Sequence, residues 1–136
     1  MSTHLQEKQE KIQKILTALA EDSAKGTPIV VEGKKDLEAL RSLDMNGPVL
    51  TIKTGGKSFV QAFREIEKTG AREVILLLDF DRRGREGTSR LKQSLEGLRI
   101  KPHIRFWRDL YALVGREIQC VESLTSYLET LQRKAM

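Results

Sequence analysis

Three short apolar runs punctuate this chain, and each passes through a turn into a stretch with helical spacing. Ile29-Val30-Val31 breaks at Glu32-Gly33 and gives way to a pattern carrying Leu37, Leu40 and Leu43. Val49-Leu50-Thr51-Ile52 leads through Thr54-Gly55-Gly56 into a helix from about Lys57 to Lys68, with Phe59, Ala62, Phe63 and Ile66 on one face. Val74-Ile75-Leu76-Leu77-Leu78 runs into Asp79-Phe80-Asp81 and a helix bearing Leu91, Leu95 and Leu98. The unbroken apolar character of that third run predicts a central strand covered on both faces.

Flanking segments complete the pattern. From about Leu5 to Asp22, Ile12, Ile15, Leu16 and Leu19 mark an amphipathic helix, which Lys25-Gly26-Thr27-Pro28 ends. His103-Ile104-Arg105-Phe106-Trp107 alternates and predicts an edge strand, while Val121, Leu124, Leu128 and Leu131 mark a last helix. Strands alternating with helices across short connections predict an α/β, Rossmann-like three-layer sandwich around a four-stranded parallel sheet. The expected strand order is 2-1-3-4. The chain is expected to form a single domain over 1–136, with an N-terminal helix in 1–26, a core in 27–110 and a C-terminal helical segment in 111–136.

Composition narrows the class. At 136 residues, with 39% hydrophobic and 32% charged positions, the chain fits one globular domain with a densely charged surface. No apolar run reaches the roughly 20 residues of a membrane span, and the N-terminus lacks the apolar core of a secretion signal. A cytoplasmic location without membrane association is expected. Cys120 is the single cysteine, which excludes an internal disulfide and a cysteine-based zinc cluster. The net charge of +5 favours polyanionic partners.

In a parallel sheet the three βα turns emerge at the carboxyl edge, where open α/β sheets bind ligands. With order 2-1-3-4, Glu32 faces Asp79-Phe80-Asp81 across the crevice. On extended backbone Asp79 and Asp81 point the same way, about 6 to 7 Å apart at Cα, so they can share one ion. Carboxylates gathered in this way repel one another unless a cation offsets them. Mg²⁺ suits them as a hard ion with oxygen ligands, and Mn²⁺ is a possible substitute. Lys34, Lys35, Lys57, Arg82, Arg83 and Arg85 surround this edge. Several stand at helix N-termini, where the dipole disfavours cations, so a phosphate-binding role is expected of them.

Val31-Glu32-Gly33-Lys34-Lys35-Asp36 and Asp79-Phe80-Asp81-Arg82-Arg83-Gly84 resemble the two signature motifs of the Toprim domain over roughly residues 27 to 110. That domain is shared by bacterial primases, topoisomerases, overcoming-lysogenization-defect nucleases and a ribosomal-RNA maturase. The resemblance implies Mg²⁺ ligation by Asp79 and Asp81, a general acid or base role for Glu32 beside the metal, and loop-forming glycines at Gly33, Gly55, Gly56 and Gly84. Topoisomerases carry a further aspartate where this chain has Arg83, so the primase-like or maturase-like pattern is the nearer one.

Together these features lead to Mg²⁺-dependent phosphodiester chemistry on DNA or RNA, as a nuclease, a nicking module or a primase-like nucleotidyl transferase. A protein partner is a candidate source of specificity. The rival class is a non-catalytic module that docks on nucleic acid or a protein complex through the same surface. A P-loop nucleotide site is a further alternative, because Thr54-Gly55-Gly56-Lys57-Ser58 contains G-K-S after a strand. Thr51 stands where the first P-loop glycine belongs.

Overall fold

In the computed structural model, which describes residues 3–135, four parallel strands pair in the order β2-β1-β3-β4. They are β1 (Ile29–Val31), β2 (Val49–Thr51), β3 (Glu73–Leu76) and β4 (Lys101–His103). Six α-helices are described: α1 (Thr3–Ala24), α2 (Lys34–Ser42), α3 (Phe59–Lys68), α4 (Arg82–Gly97), α5 (Arg105–Val114) and α6 (Leu124–Ala135), with 3₁₀ turns at Thr54–Gly56 and Val121–Ser123. The α/β sandwich and the strand order agree with the sequence pattern.

Side-chain alternation divides the central strands between two cores. Ile29 and Val31 of β1, with Ile75 and Leu77 at β3, join Ile12, Leu16 and Leu19 of α1, Leu40 of α2 and Leu110 of α5. Val30, Val74, Leu76 and Leu78 face the other way and pack with Ile66 of α3 and with Leu91 and Leu95 of α4. The five-residue apolar run is thus required by burial on both sides, since residues 74 to 78 are all at most 1% exposed. No helix among the described residues is long and apolar enough to cross a membrane.

One expected element is corrected. The fourth strand occupies Lys101–His103, and the segment predicted to alternate as an edge strand turns at Ile104 into α5. The apparent alternation spans too few residues to compete with the longer pattern, in which Phe106, Leu110 and Val114 recur every fourth position. β4 does lie at the sheet edge, where Pro102 is tolerated because no further strand needs its missing N–H.

Helix starts have local causes. Ser58 caps α3, its Oγ accepting from the Gln61 N–H at 3.2 Å while the Gln61 side chain accepts from the Ser58 N–H at 2.8 Å. Gly47 fills a different need. Its N–H donates to Ser23 Oγ at 3.0 Å, and a Cβ there would stand 2.2 Å from the Ser23 carbonyl oxygen. Gly47→Ala is therefore expected to force α1 away from the turn before β2 and to lower unfolding stability by about 1–3 kcal/mol, read from urea denaturation.

Candidate metal centre

The backbone ladder fixes the two acidic loops beside each other. β1 pairs in parallel with β2 on one side and β3 on the other. Beyond the paired strands, the Leu77 N–H donates to the Val30 carbonyl at 2.8 Å and the Lys53 N–H to the Glu32 carbonyl at 2.9 Å. Glu32 and the Asp79 loop therefore leave the sheet at the same edge on neighbouring strands.

The Glu32 side chain is buried, at 7% exposure. Its Oε1 forms an ion pair with Lys53 Nζ at 2.9 Å, while its Oε2 is buried without a hydrogen-bond partner among the described residues. Such an atom is costly to leave unsatisfied. Asp79 is half-buried. Burial first, and then the carboxylates of Glu32, Asp36 and Asp81, push its carboxyl from 3.8 up to about 7, with Lys53 pulling the other way. Asp81 caps α4, accepting from the Gly84 N–H at 2.8 Å.

These groups fit a hard divalent cation. Asp79 and Asp81 offer oxygen ligands, Glu32 carries a free buried oxygen, and the mutual repulsion around Asp79 is what a positive ion would relieve. The donor atoms of Glu32, Asp79 and Asp81 do not all lie within 4.8 Å of one another. Among the described residues the group that meets that spacing is Asp36, Cys120 and Glu122. Both Asp36 oxygens already accept backbone N–H groups, from Gly33 at 3.1 Å and Glu122 at 2.9 Å. That group is first a joint between α2 and the C-terminal segment.

The glycines separate into two kinds. Gly55 and Gly56 have φ of 73° and 71°, the left-handed region that favours glycine. At Gly84 a Cβ would stand 2.0 Å from the Asp79 carbonyl oxygen, so glycine lets α4 begin directly against the acidic loop. Gly33 is different. Its φ of −146° is ordinary extended backbone, and a Cβ there would meet nothing within 4 Å. The fold does not demand glycine at that position.

Lys34, Lys35, Arg82, Arg83 and Arg85 are exposed on the first turns of α2 and α4. Arg82 Nε donates to Glu86 at 3.1 Å, and Arg85 donates to the Tyr111 hydroxyl at 3.1 Å while lying over its ring. Lys57 stands apart, half-buried and turned back to donate to the Thr51 carbonyl at 2.8 Å and to Glu65 at 2.5 Å. With Lys57 engaged there and Ser58 serving as a helix cap, the G-K-S segment reads as structural rather than as a phosphate cradle.

The sequence alone did not reveal the contacts that Lys53, Asp36 and Trp107 make at this edge. Asp36 had a signal, since an acid three residues after Gly33 fits the third position of a capped helix. Trp107 had none: its indole N–H donates to the Leu78 carbonyl at 2.9 Å across 29 positions of sequence.

Fold and site together define an α/β protein that gathers acidic side chains at the carboxyl edge of a parallel sheet. The chain belongs to the Toprim domain family, whose model matches residues 27–108. It is similar to a UPF0292 protein of Methanosarcina acetivorans, with 35% identity over 126 residues covering 92% of this chain and 85% of that protein. A UPF0292 protein of Methanocaldococcus jannaschii is 31% identical over 121 residues, covering 88% and 93% respectively. A solved structure of a protein from Aquifex aeolicus shares the fold, with a TM-score of 0.65 at 23% identity over 82% of this chain and 95% of that one. Toprim domains bind divalent metals, and membership points to a metal-dependent role in nucleic-acid chemistry.

The raised Asp79 carboxyl has a consequence for stability. Its folded pKa of about 7 lies above 3.8, so between those pH values the native state holds more protons than the unfolded chain, and stability falls as pH rises. In chelator, the urea midpoint of wild type minus that of Asp79→Asn is expected to decline from pH 4 to pH 7 and then level off. A flat difference would show that Asp79 ionises normally.

Proposed function

We propose that this protein carries out Mg²⁺-dependent phosphodiester chemistry on nucleic acid, with cleavage as the first activity to test. The reading rests on the crowding of Asp79 by three carboxylates at the sheet edge, with a buried Glu32 oxygen left without a partner. Asp79 and Asp81 would hold the cation, which would supply Lewis-acid polarisation of a phosphate oxygen and stabilisation of developing charge. Glu32 exchanges a proton through Oε2 with the attacking or leaving oxygen, while Lys53 on Oε1 fixes the carboxylate's orientation. Lys34, Lys35 and Arg83 bind the flanking phosphates, where arginine can grip two oxygens at once. Open space above Gly33 lets a phosphate approach the backbone between Glu32 and α2.

The test is a panel of single-stranded, duplex and structured RNA and DNA with Mg²⁺ or Mn²⁺. Wild type is expected to cleave at least one substrate, with Glu32→Gln slower by roughly 10²–10⁴-fold. Absence of any metal-dependent turnover would sink the catalytic reading. If salt-dependent nucleic-acid binding then survived in Asp79→Asn, the protein would be a docking module. Gly33→Ala offers a second check: it is expected to leave the melting temperature nearly unchanged while lowering turnover, and equal turnover would exclude substrate approach at that position.

A further inference from the structure

We infer that the segment from Trp107 to Glu122 is a positioning element that holds the two acidic loops in place beside each other; this rests on the metal-dependent reading above. The need for it comes from the sheet. β4 pairs with β3 through Ile75 and His103 and then turns into α5, so the β3 edge has no strand partner beyond that point. Backbone groups alternate along an extended chain. Leu77 bonds toward β1, which leaves Leu78 and Phe80 directed toward the missing β4 side. Unmet polar groups at this depth are destabilising and would leave the loop free to shift.

The C-terminal segment meets them individually. Trp107 Nε1 donates to the Leu78 carbonyl at 2.9 Å and lies 3.4 Å from that of Asp79. The Phe80 N–H donates to the Gln119 carbonyl at 2.6 Å, and the Phe80 ring packs against Trp107 and Tyr111 with centroids 6.2 Å from each. The Asp79 peptide is thereby held from both flanks. On the other loop, the Glu122 N–H donates to Asp36 at 2.9 Å, and Asp36 in turn receives the Gly33 N–H at 3.1 Å. One continuous segment thus grips the loop carrying Glu32 and the loop carrying Asp79 and Asp81. Gln119 and Glu122 lie beyond the matched Toprim region, which ends at residue 108.

Groups that orient metal ligands without touching the metal typically change its affinity 10- to 100-fold when removed. The experiment measures Mn²⁺ binding from the electron paramagnetic resonance signal of free Mn²⁺, alongside melting temperature. Trp107→Phe, which leaves the Leu78 carbonyl unmet, is expected to weaken Mn²⁺ binding by roughly 10- to 100-fold and to lower the melting temperature while the protein stays folded. Tyr111→Phe, which removes only the acceptor of Arg85, is expected to bind Mn²⁺ like wild type. Trp107 is the only tryptophan, so biosynthetic replacement by benzothienylalanine, which has sulfur in place of the indole N–H, gives a near-isosteric second probe if Trp107→Phe does not fold. Wild-type affinity in the folded Trp107 variant, or equal weakening by Tyr111→Phe, overturns the inference while the metal-dependent reading stands. Absence of Mn²⁺ binding in wild type, or its full retention in Asp79→Asn, removes that reading and the positioning role with it.

Discussion

Parallel pairing of β1 with both β2 and β3 is the constraint from which the site follows. Because all three strands run the same way, the residues that leave them emerge on one edge, and Glu32 and Asp79 become neighbours despite their separation in sequence. The pairing is accompanied by burial of the apolar residues, whose alternation fills two cores. The energy of burial on both faces is thus what forces the acids together. Burial first, and then their repulsion, push the Asp79 carboxyl up to about 7.

Much of this was legible in the chain itself, for reasons that particular residues make plain. Val74 to Leu78 matches a strand covered on both faces, and Glu32 and Asp79 follow such runs closely, so the strand order brings them to one edge. His103 to Trp107 misled because a three-residue strand and the first turn of a helix share one short window, and only Leu110 and Val114 reveal the helical period. Lys57 misled in another way. Its neighbours in sequence suggest a phosphate loop, whereas its ammonium satisfies the end of β2. Lys53, Asp36 and Trp107 act through groups brought near by the fold, among them Glu122 and the Leu78 carbonyl, and no local spacing encodes such contacts.

The two ends of the acidic loops are stabilised by different means. Asp81 accepts the Gly84 N–H on one oxygen, which leaves its other oxygen for the ligand role proposed above. That bond sets the start of α4 and fixes the Asp81 rotamer, and Gly84 is what allows the helix to begin so close to the Asp79 carbonyl. Ligand orientation on this side is therefore part of helix capping. On the Glu32 side no such cap exists, and the orienting groups are Lys53 on Oε1 and the Asp36 joint below Gly33.

Gly33 and the two lysines after it depart from what local stability alone would select. Glycine at an extended position with open space beyond it gains nothing from its freedom and has a larger entropy loss on folding than alanine would. Lys34 and Lys35 place two cations on the first turn of α2, where the helix dipole disfavours them. Both departures occur within three residues, beside a buried glutamate with an unpartnered oxygen. The phosphate approach proposed above would reconcile them, since it calls for open backbone, positive charge and a proton-transfer group at the same place. The local costs thus coincide where a ligand would offset them, which ties the open face of Gly33 to the chemistry of Glu32 rather than to the packing of the sheet.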